Sequence, residues 1–252
     1  MSAAFEHIAV PTKALGRYSQ SHKGLMIFGD HSSKHIPDEY DNLGLKGDDL
    51  TRHIAWDIGT ETIIRRLCAH FGCIGQLAGV SRLVIDLNRD LGAAGLIPEI
   101  SDGSPIAGNQ GLTPAQRQDR VERFYAPYHA ALAAALNALF DPFILSVHSF
   151  TPQPLTGTAR DTEIGLLVKH DVQTAEQFQQ SFASSDYKVE INKPYSAYDL
   201  NYTIDKHIGP RGLRHLAIEI RQDLVDTPEG CAAITALLID RLEVIMENHI
   251  KA

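Results

Sequence analysis

Short apolar runs of strand length recur along the chain, and segments of helical period separate most of them. "GLMIFGD" (24–30), "CIGQLA" (73–78), "RLVIDLN" (82–88), "ILSVHS" (144–149), "TEIGLLV" (162–168), "YKVEIN" (187–192) and "HLAIEIR" (215–221) read as strands. Between them a helix is expected over 49–71, capped by Asp48 or Asp49 and closed by Gly72. A second is expected from Thr113 to about 140. There Thr113 stands at N-cap, Pro114 at N1 and Gln116 at N3, which makes a capping box, and Pro127 is a point of irregularity. "TAEQFQQSFA" (174–183) reads as a third helix, and Thr227-Pro228 opens a closing one. This alternation constrains the fold to α/β: a three-layer sandwich with a mainly parallel mixed sheet covered by helices on both faces.

The 252 residues are read as one domain, 1–252, with 1–20 as a flexible N-terminal arm. A net charge of −8, from 23 basic and 31 acidic residues, argues against a nucleic-acid or anionic-membrane surface. No apolar run approaches the roughly 18 residues of a membrane span. The first residues show no charged leader followed by an apolar block, so a cytoplasmic protein is expected. Cys68, Cys73 and Cys231 fit neither a disulfide framework nor a zinc ribbon and are read as reduced thiols.

Four of the apolar runs finish in chemically useful residues. The first delivers Asp30 and His31, another Asp86, Asn88 and Arg89, another His148, and the last Glu219 and Arg221. If these strands are parallel neighbours, all four groups crowd the carboxyl edge of the sheet, where open α/β folds bind ligands. Two neutral imidazoles and a carboxylate form a common zinc shell with one position left for water. His31 and His148 are the candidate rings, and Glu219 is the candidate base. Arg89 suits a substrate carboxylate, because a guanidinium binds one through two parallel hydrogen bonds. The third ligand has two candidates. Lys34 holds the position where zinc exopeptidases carry a His-x-x-Glu glutamate, and it cannot serve. His35 is near. Asp57 is preferred, with His53 four residues before it on the same helix face as support.

"GDHSSKHIP", "HIAWDIG", "SRLVIDLNRD", "SVHSFTP", "NKPYS" and "IEIRQDL" occur in this order from about 24 to 226. Together they resemble the N-formylglutamate amidohydrolase family. The resemblance implies an architecture similar to the zinc carboxypeptidases and aspartoacylases. It implies metal binding by His31 and His148, with Asp57 of the "AWDIG" segment completing the set. It also implies substrate binding by Asn88 and Arg89, and acid/base work by Glu219. One departure bears on specificity: "TARDTEIG" has Asp161-Thr162 where the family pattern has Arg-Pro-Trp before Ile-Gly.

Other residues carry two readings each. Arg82 and Arg160 hold a second substrate carboxylate or are ordinary ion-pair partners. Arg221 shares a face with Glu219 and tunes it or touches substrate. Asn192, Tyr195, Tyr202 and His207 are pocket wall or packing. Residues 91–112 are a lid or a surface loop. The expected function is zinc-dependent hydrolysis of a linear amide, N-formyl-L-glutamate or a related N-acyl amino acid. The partner is thus a small molecule bearing a carboxylate. The alternatives are an amidase acting on another acyl amino acid, small peptide or cell-wall amide, and a non-catalytic metal or small-ligand binding module.

Overall fold

The computed structural model describes residues 2–9 and 23–251. Seven strands form one sheet: β1 (Phe5–Ile8), β2 (Lys23–Gly29), β3 (Ile74–Ala78), β6 (Phe140–Phe150), β7 (Ile164–Leu167), β8 (Val189–Ile191) and β9 (His215–Arg221). Two further short strands, β4 (Ile100–Ser101) and β5 (Ser104–Pro105), make a separate hairpin. The sheet order is β1-β3-β2-β6-β9-β7-β8. The β1–β3 and β7–β9 pairs are antiparallel and the remaining pairs parallel. Of the first twenty residues, expected as an arm, 5–8 form the edge strand β1, while residue 1 and residues 10–20 lie outside the described residues.

Strict alternation along the central strands builds two different faces. Leu25, Ile27, Phe143, Leu145, Val147, Leu216, Ile218 and Ile220 belong to one apolar cluster. They pack there with residues of α1 (Thr60–Phe71), α4 (Val172–Ser181) and α6 (Pro228–Lys251). Met26, Phe28 and Ile144 belong to another cluster, with residues of α3 (Ala126–Asn137) and α5 (Tyr202–His207). Each such side chain contributes about 1.5–3 kcal/mol by burial. A one-residue slip would exchange the two sets, so this burial fixes the register. The same alternation carries Ser146 and His148, and Ala217 and Glu219, to the face covered by α3 and α5.

Two expected elements differ. The helix expected over 49–71 begins only at Thr60. A short 3-10 turn spans Gly47–Leu50, turns follow, and Gly59 sits at φ +82° immediately before α1. A Cβ at Gly59 would stand 2.5 Å from the Val225 carbonyl oxygen, so chain crowding there demands glycine and breaks the helix. The strand expected at 82–88 is also absent. Leu83, Val84, Ile85 and Leu87 are fully buried, but in a turn-rich segment that pairs with no strand. Side chains satisfy its backbone instead: Asn109 donates to the Leu83 carbonyl (2.8 Å) and Arg120 to that of Val84 (2.9 Å).

The helix expected from Thr113 forms with its capping box intact. It runs through α2 (Pro114–Arg120), a π-helical turn at Val121–Tyr125, and α3. The widened turn comes just before Pro127, which has no N–H for the usual ladder. Among the described residues no helix is long and apolar enough to cross a membrane.

Candidate functional site

The carboxyl ends of β2, β6 and β9 meet in the middle of the sheet. Parallel pairing sets His148 beside Glu219, and antiparallel pairing sets Gly165 of β7 on the other side of Glu219. His31 enters directly after β2 and stacks edge-on to His148, ring centroids 5.3 Å apart. Asp57 arrives from the turn before α1. Its backbone N–H donates to the His31 carbonyl (2.8 Å), which ties the turn to the end of β2.

His31, Asp57 and His148 are all buried, and one ligand atom from each lies within 4.8 Å of the others. The converging atoms are Asp57 Oδ2 and the two Nδ1 nitrogens: 2.9 Å from that oxygen to His148 and 3.5 Å to His31. The far nitrogens are backed as well. His31 Nε2 donates to Asp86 Oδ1 (2.7 Å), and His148 Nε2 lies 3.0 Å from Ser146 Oγ. Two imidazoles oriented from behind and one carboxylate are a donor set that suits zinc.

Burial opposes charge on His148, yet Asp57, Glu219 and Asp30 outweigh it and push its pKa up to about 9. His31 is likewise buried and near Arg82, but Asp86 and Asp57 raise it above the ordinary value. The rings in turn hold the buried carboxyls of Asp57 and Asp86 well below the usual carboxylate range. Glu219 moves the other way. Burial and the Asp57 charge push it up to about 7, against the pull of His148.

A cavity of about 150 Å³ opens at this edge, lined by His31, Asp57, His148, Glu219 and Ser149, with Arg82, Asn88, Arg89, Tyr195 and Leu200 around them. Asn88 Oδ1 accepts from the Thr203 N–H of α5 (2.8 Å), which leaves its amide donor for a ligand. Tyr125, from the π-helical turn, donates to the Arg89 carbonyl (2.8 Å). Among the described residues the Arg89 side chain has only a loose ion pair, 3.9 Å to Asp86. Arg82 is engaged twice, 3.4 Å from Asp57 and 2.9 Å from Asp86. Tyr195 comes from the segment after β8. That segment crosses β7 so closely that a Cβ at Gly165 would stand 2.1 Å from the Lys193 carbonyl oxygen.

Other singled-out residues stand apart from the cavity lining. Asn192 shapes the segment that carries Tyr195, bonding Val168 through both side-chain atoms and accepting from the Ala197 N–H. Arg221 pairs with Asp223 (2.8 Å) and Glu163 (3.4 Å). Arg160 lies over the Tyr195 ring, 4.8 Å from its centroid, and lines a neighbouring cleft. His35 bonds Ser2 Oγ (2.9 Å), and Lys34 lies over the Trp56 ring. The structure thus brings Asp57, and not His35, to the two rings.

His53 does not share a helix face with Asp57, because no helix spans them. It pairs with Asp102 (3.1 Å) at the hairpin between β4 and β5. Asp102 also accepts from the Leu155 and Thr156 backbone, so part of the 91–112 loop fastens the chain beyond β6.

Asp86 and Ser146 are the backing groups that sequence reasoning left without a role. The signal for Ser146 is the two-residue period: it shares the face of His148. For Asp86 the signal is its place at the polar end of an apolar run, beside Asn88 and Arg89.

A family model described as N-formylglutamate amidohydrolase matches residues 24–225. No curated protein matches the chain. Among solved structures, a gene product of Agrobacterium tumefaciens is similar at 30% identity. The match covers 97% of this chain and 96% of that one, with a TM-score of 0.85. An N-formylglutamate amidohydrolase from Ralstonia eutropha is similar in fold, with a TM-score of 0.70 at 19% identity over 98% of both chains.

Proposed function

Because the chain belongs to the N-formylglutamate amidohydrolase family, we propose that it hydrolyses the linear amide of an N-acyl amino acid with a bound divalent metal, zinc by preference. The observation that supports this most directly is the convergence of His31, Asp57, His148 and Glu219 on one cavity beside the lightly engaged Arg89.

His31, His148 and Asp57 would hold the ion, with Asp86 and Ser146 fixing the rings. When bound, the ion supplies a Lewis acid for the carbonyl and lowers the pKa of its water to about 7. Arg89 and the Asn88 amide hold the substrate carboxylate and so orient the amide. Glu219, beside His148 at the ends of their paired strands, takes the proton of the attacking water and returns it to the leaving nitrogen. Tyr195 and Leu200 wall the cavity and exclude water.

N-formyl-L-glutamate is the first substrate to assay. A second reading, another acyl amino acid with one carboxylate, is favoured by the cations. Among the described residues the cavity offers a single lightly paired guanidinium, Arg89, because Arg82 is doubly engaged and Arg160 lines a different cleft.

Metal analysis of the purified protein, with turnover of N-formyl-L-glutamate beside N-formyl-L-leucine and their N-acetyl counterparts, tests both. We expect one metal per chain and a loss of about 10²–10⁴-fold in kcat for Glu219→Gln. A metal-free protein inert on every amide would leave a binding module. Leucine derivatives exceeding glutamate ones would select the second reading.

A further inference from the structure

Arg82 reaches two carboxylates at once. Its Nη1 lies 3.4 Å from Asp57 Oδ1 and its Nη2 2.9 Å from Asp86 Oδ2. The opposite oxygens of those carboxylates face the imidazoles: Asp57 Oδ2 lies 2.9 Å from His148 Nδ1, and Asp86 Oδ1 2.7 Å from His31 Nε2. The Ser149 N–H also donates to Asp57 Oδ2 (3.3 Å). The side chains close a ring, from Arg82 to Asp86, His31, Asp57 and back. In each carboxylate one oxygen turns toward the guanidinium and the other toward a ring.

We propose that Arg82 is a positioning residue that makes Asp57 a one-oxygen metal ligand. It does so by occupying Oδ1, and this keeps the remaining coordination position open for water. The proposal rests on the metal-hydrolase reading above. A carboxylate binds a divalent ion through one oxygen or through both. A catalytic zinc site takes three protein donors and one water, and a second oxygen from Asp57 would raise the coordination to five and crowd that water. The planar guanidinium holds two carboxylates in fixed directions, whereas a lysine ammonium is a single point charge without that fork. The link through Asp86 gives Arg82 a second effect, since Asp86 sets the His31 ring. To clamp a substrate carboxylate with both Nη atoms instead, Arg82 would have to give up its contacts with Asp57 and Asp86.

The test loads the full-length protein and its Arg82→Met and Arg82→Lys variants with cobalt(II). Visible absorption, metal affinity by competition with a chelator, and steady-state kinetics are then read on each. In the unaltered protein we expect the intense band of four-coordinate cobalt. In Arg82→Met we expect a weaker band, as coordination rises to five. Metal affinity or kcat should fall by about 10–100-fold while KM changes little. Arg82→Lys should fail to restore the intense band, and it carries the same readouts if the methionine variant does not fold. Unchanged cobalt spectra and affinity in both variants, with KM raised instead, would overturn the proposal and make Arg82 a substrate anchor. A protein that takes up no cobalt or zinc would instead bring down the metal reading itself.

Discussion

Two pairs of buried histidines in this molecule are driven to opposite protonation states. His31 and His148 stand among Asp30, Asp57, Asp86 and Glu219, and both are shifted toward the charged form. His129 of α3 and His207 of α5 stack with their rings 5.1 Å apart and share one hydrogen bond, Nδ1 to Nε2, of 2.9 Å. Around them are Tyr125, Tyr202, Lys206 and Arg211. Burial, with Lys206 beside them, depresses His129 to about 3 and His207 to about 4. Burial opposes the charged ring in both pairs, and the adjoining carboxylates reverse the outcome in one of them. Under the proposed function one pair exchanges its protons for a cation, while the other stays neutral and packs.

The sharpest way to break this contrast is to remove one ring from each pair. His148→Ala should abolish metal uptake and lower kcat by about 10³-fold or more, measured by metal content and turnover. His129→Phe should keep its metal.

Acid and base should then separate the pairs. His129 and His207 titrate lower in the fold than their ordinary 6.5, so the unfolded chain binds protons that the fold refuses. Their stability is complete above 6.5 and is lost as pH falls through 4 toward 3, on the order of 4 kcal/mol by pH 5. His148 has the opposite sign. In chelator-treated protein its contribution is complete below 6.5 and is lost as pH rises through about 9. Urea unfolding across pH 4–10 reads both limbs, and coincident limbs in one direction would refute the contrast.

A smaller effect is expected at neutral pH. His129→Phe leaves the His207 ring without its partner, at a cost of about 1–3 kcal/mol, and it should flatten the acid limb. The smallest comes from α5, the element that joins the two regions. Thr203→Val removes the long bond from Thr203 Oγ1 to the Leu87 carbonyl (3.4 Å) and the hydroxyl's hydrogen bond to Asp30, while the Thr203 N–H still holds Asn88. Stability should fall by about 0.5–1.5 kcal/mol and KM should move by less than about threefold.

What the sequence made legible follows from periodicity. β2, β6 and β9 are apolar runs whose alternation and polar ends could be read directly, and they place His31, His148 and Glu219. The segments between strands resisted because tertiary partners replaced local rules. Residues 82–88 have a strand's composition, but Asn109 and Arg120, distant in sequence, supply the hydrogen bonds a neighbouring strand would give. Residues 51–59 have apolar positions at helical spacing, yet Ile54 packs in a different cluster from Ile63 and Leu67. Gly59 was the visible warning. Asp57 is expected on a helix face and instead reaches the rings from a turn.

Glu219 and His148 face each other across two hydrogen-bonded strands, so their separation follows the spacing of a β-ladder, about 4.8 Å. Asp57, Asn88, Arg89 and Tyr195 all come from turns and connecting segments. The molecule therefore holds a rigid half, whose dimensions are a property of any parallel sheet, and an adjustable half, whose reach changes with each insertion or deletion. Diversification of substrate can proceed in the second without disturbing the first. An engineer wishing to retarget the cleft should redesign the segments around 88 and 195 and leave the two strands untouched.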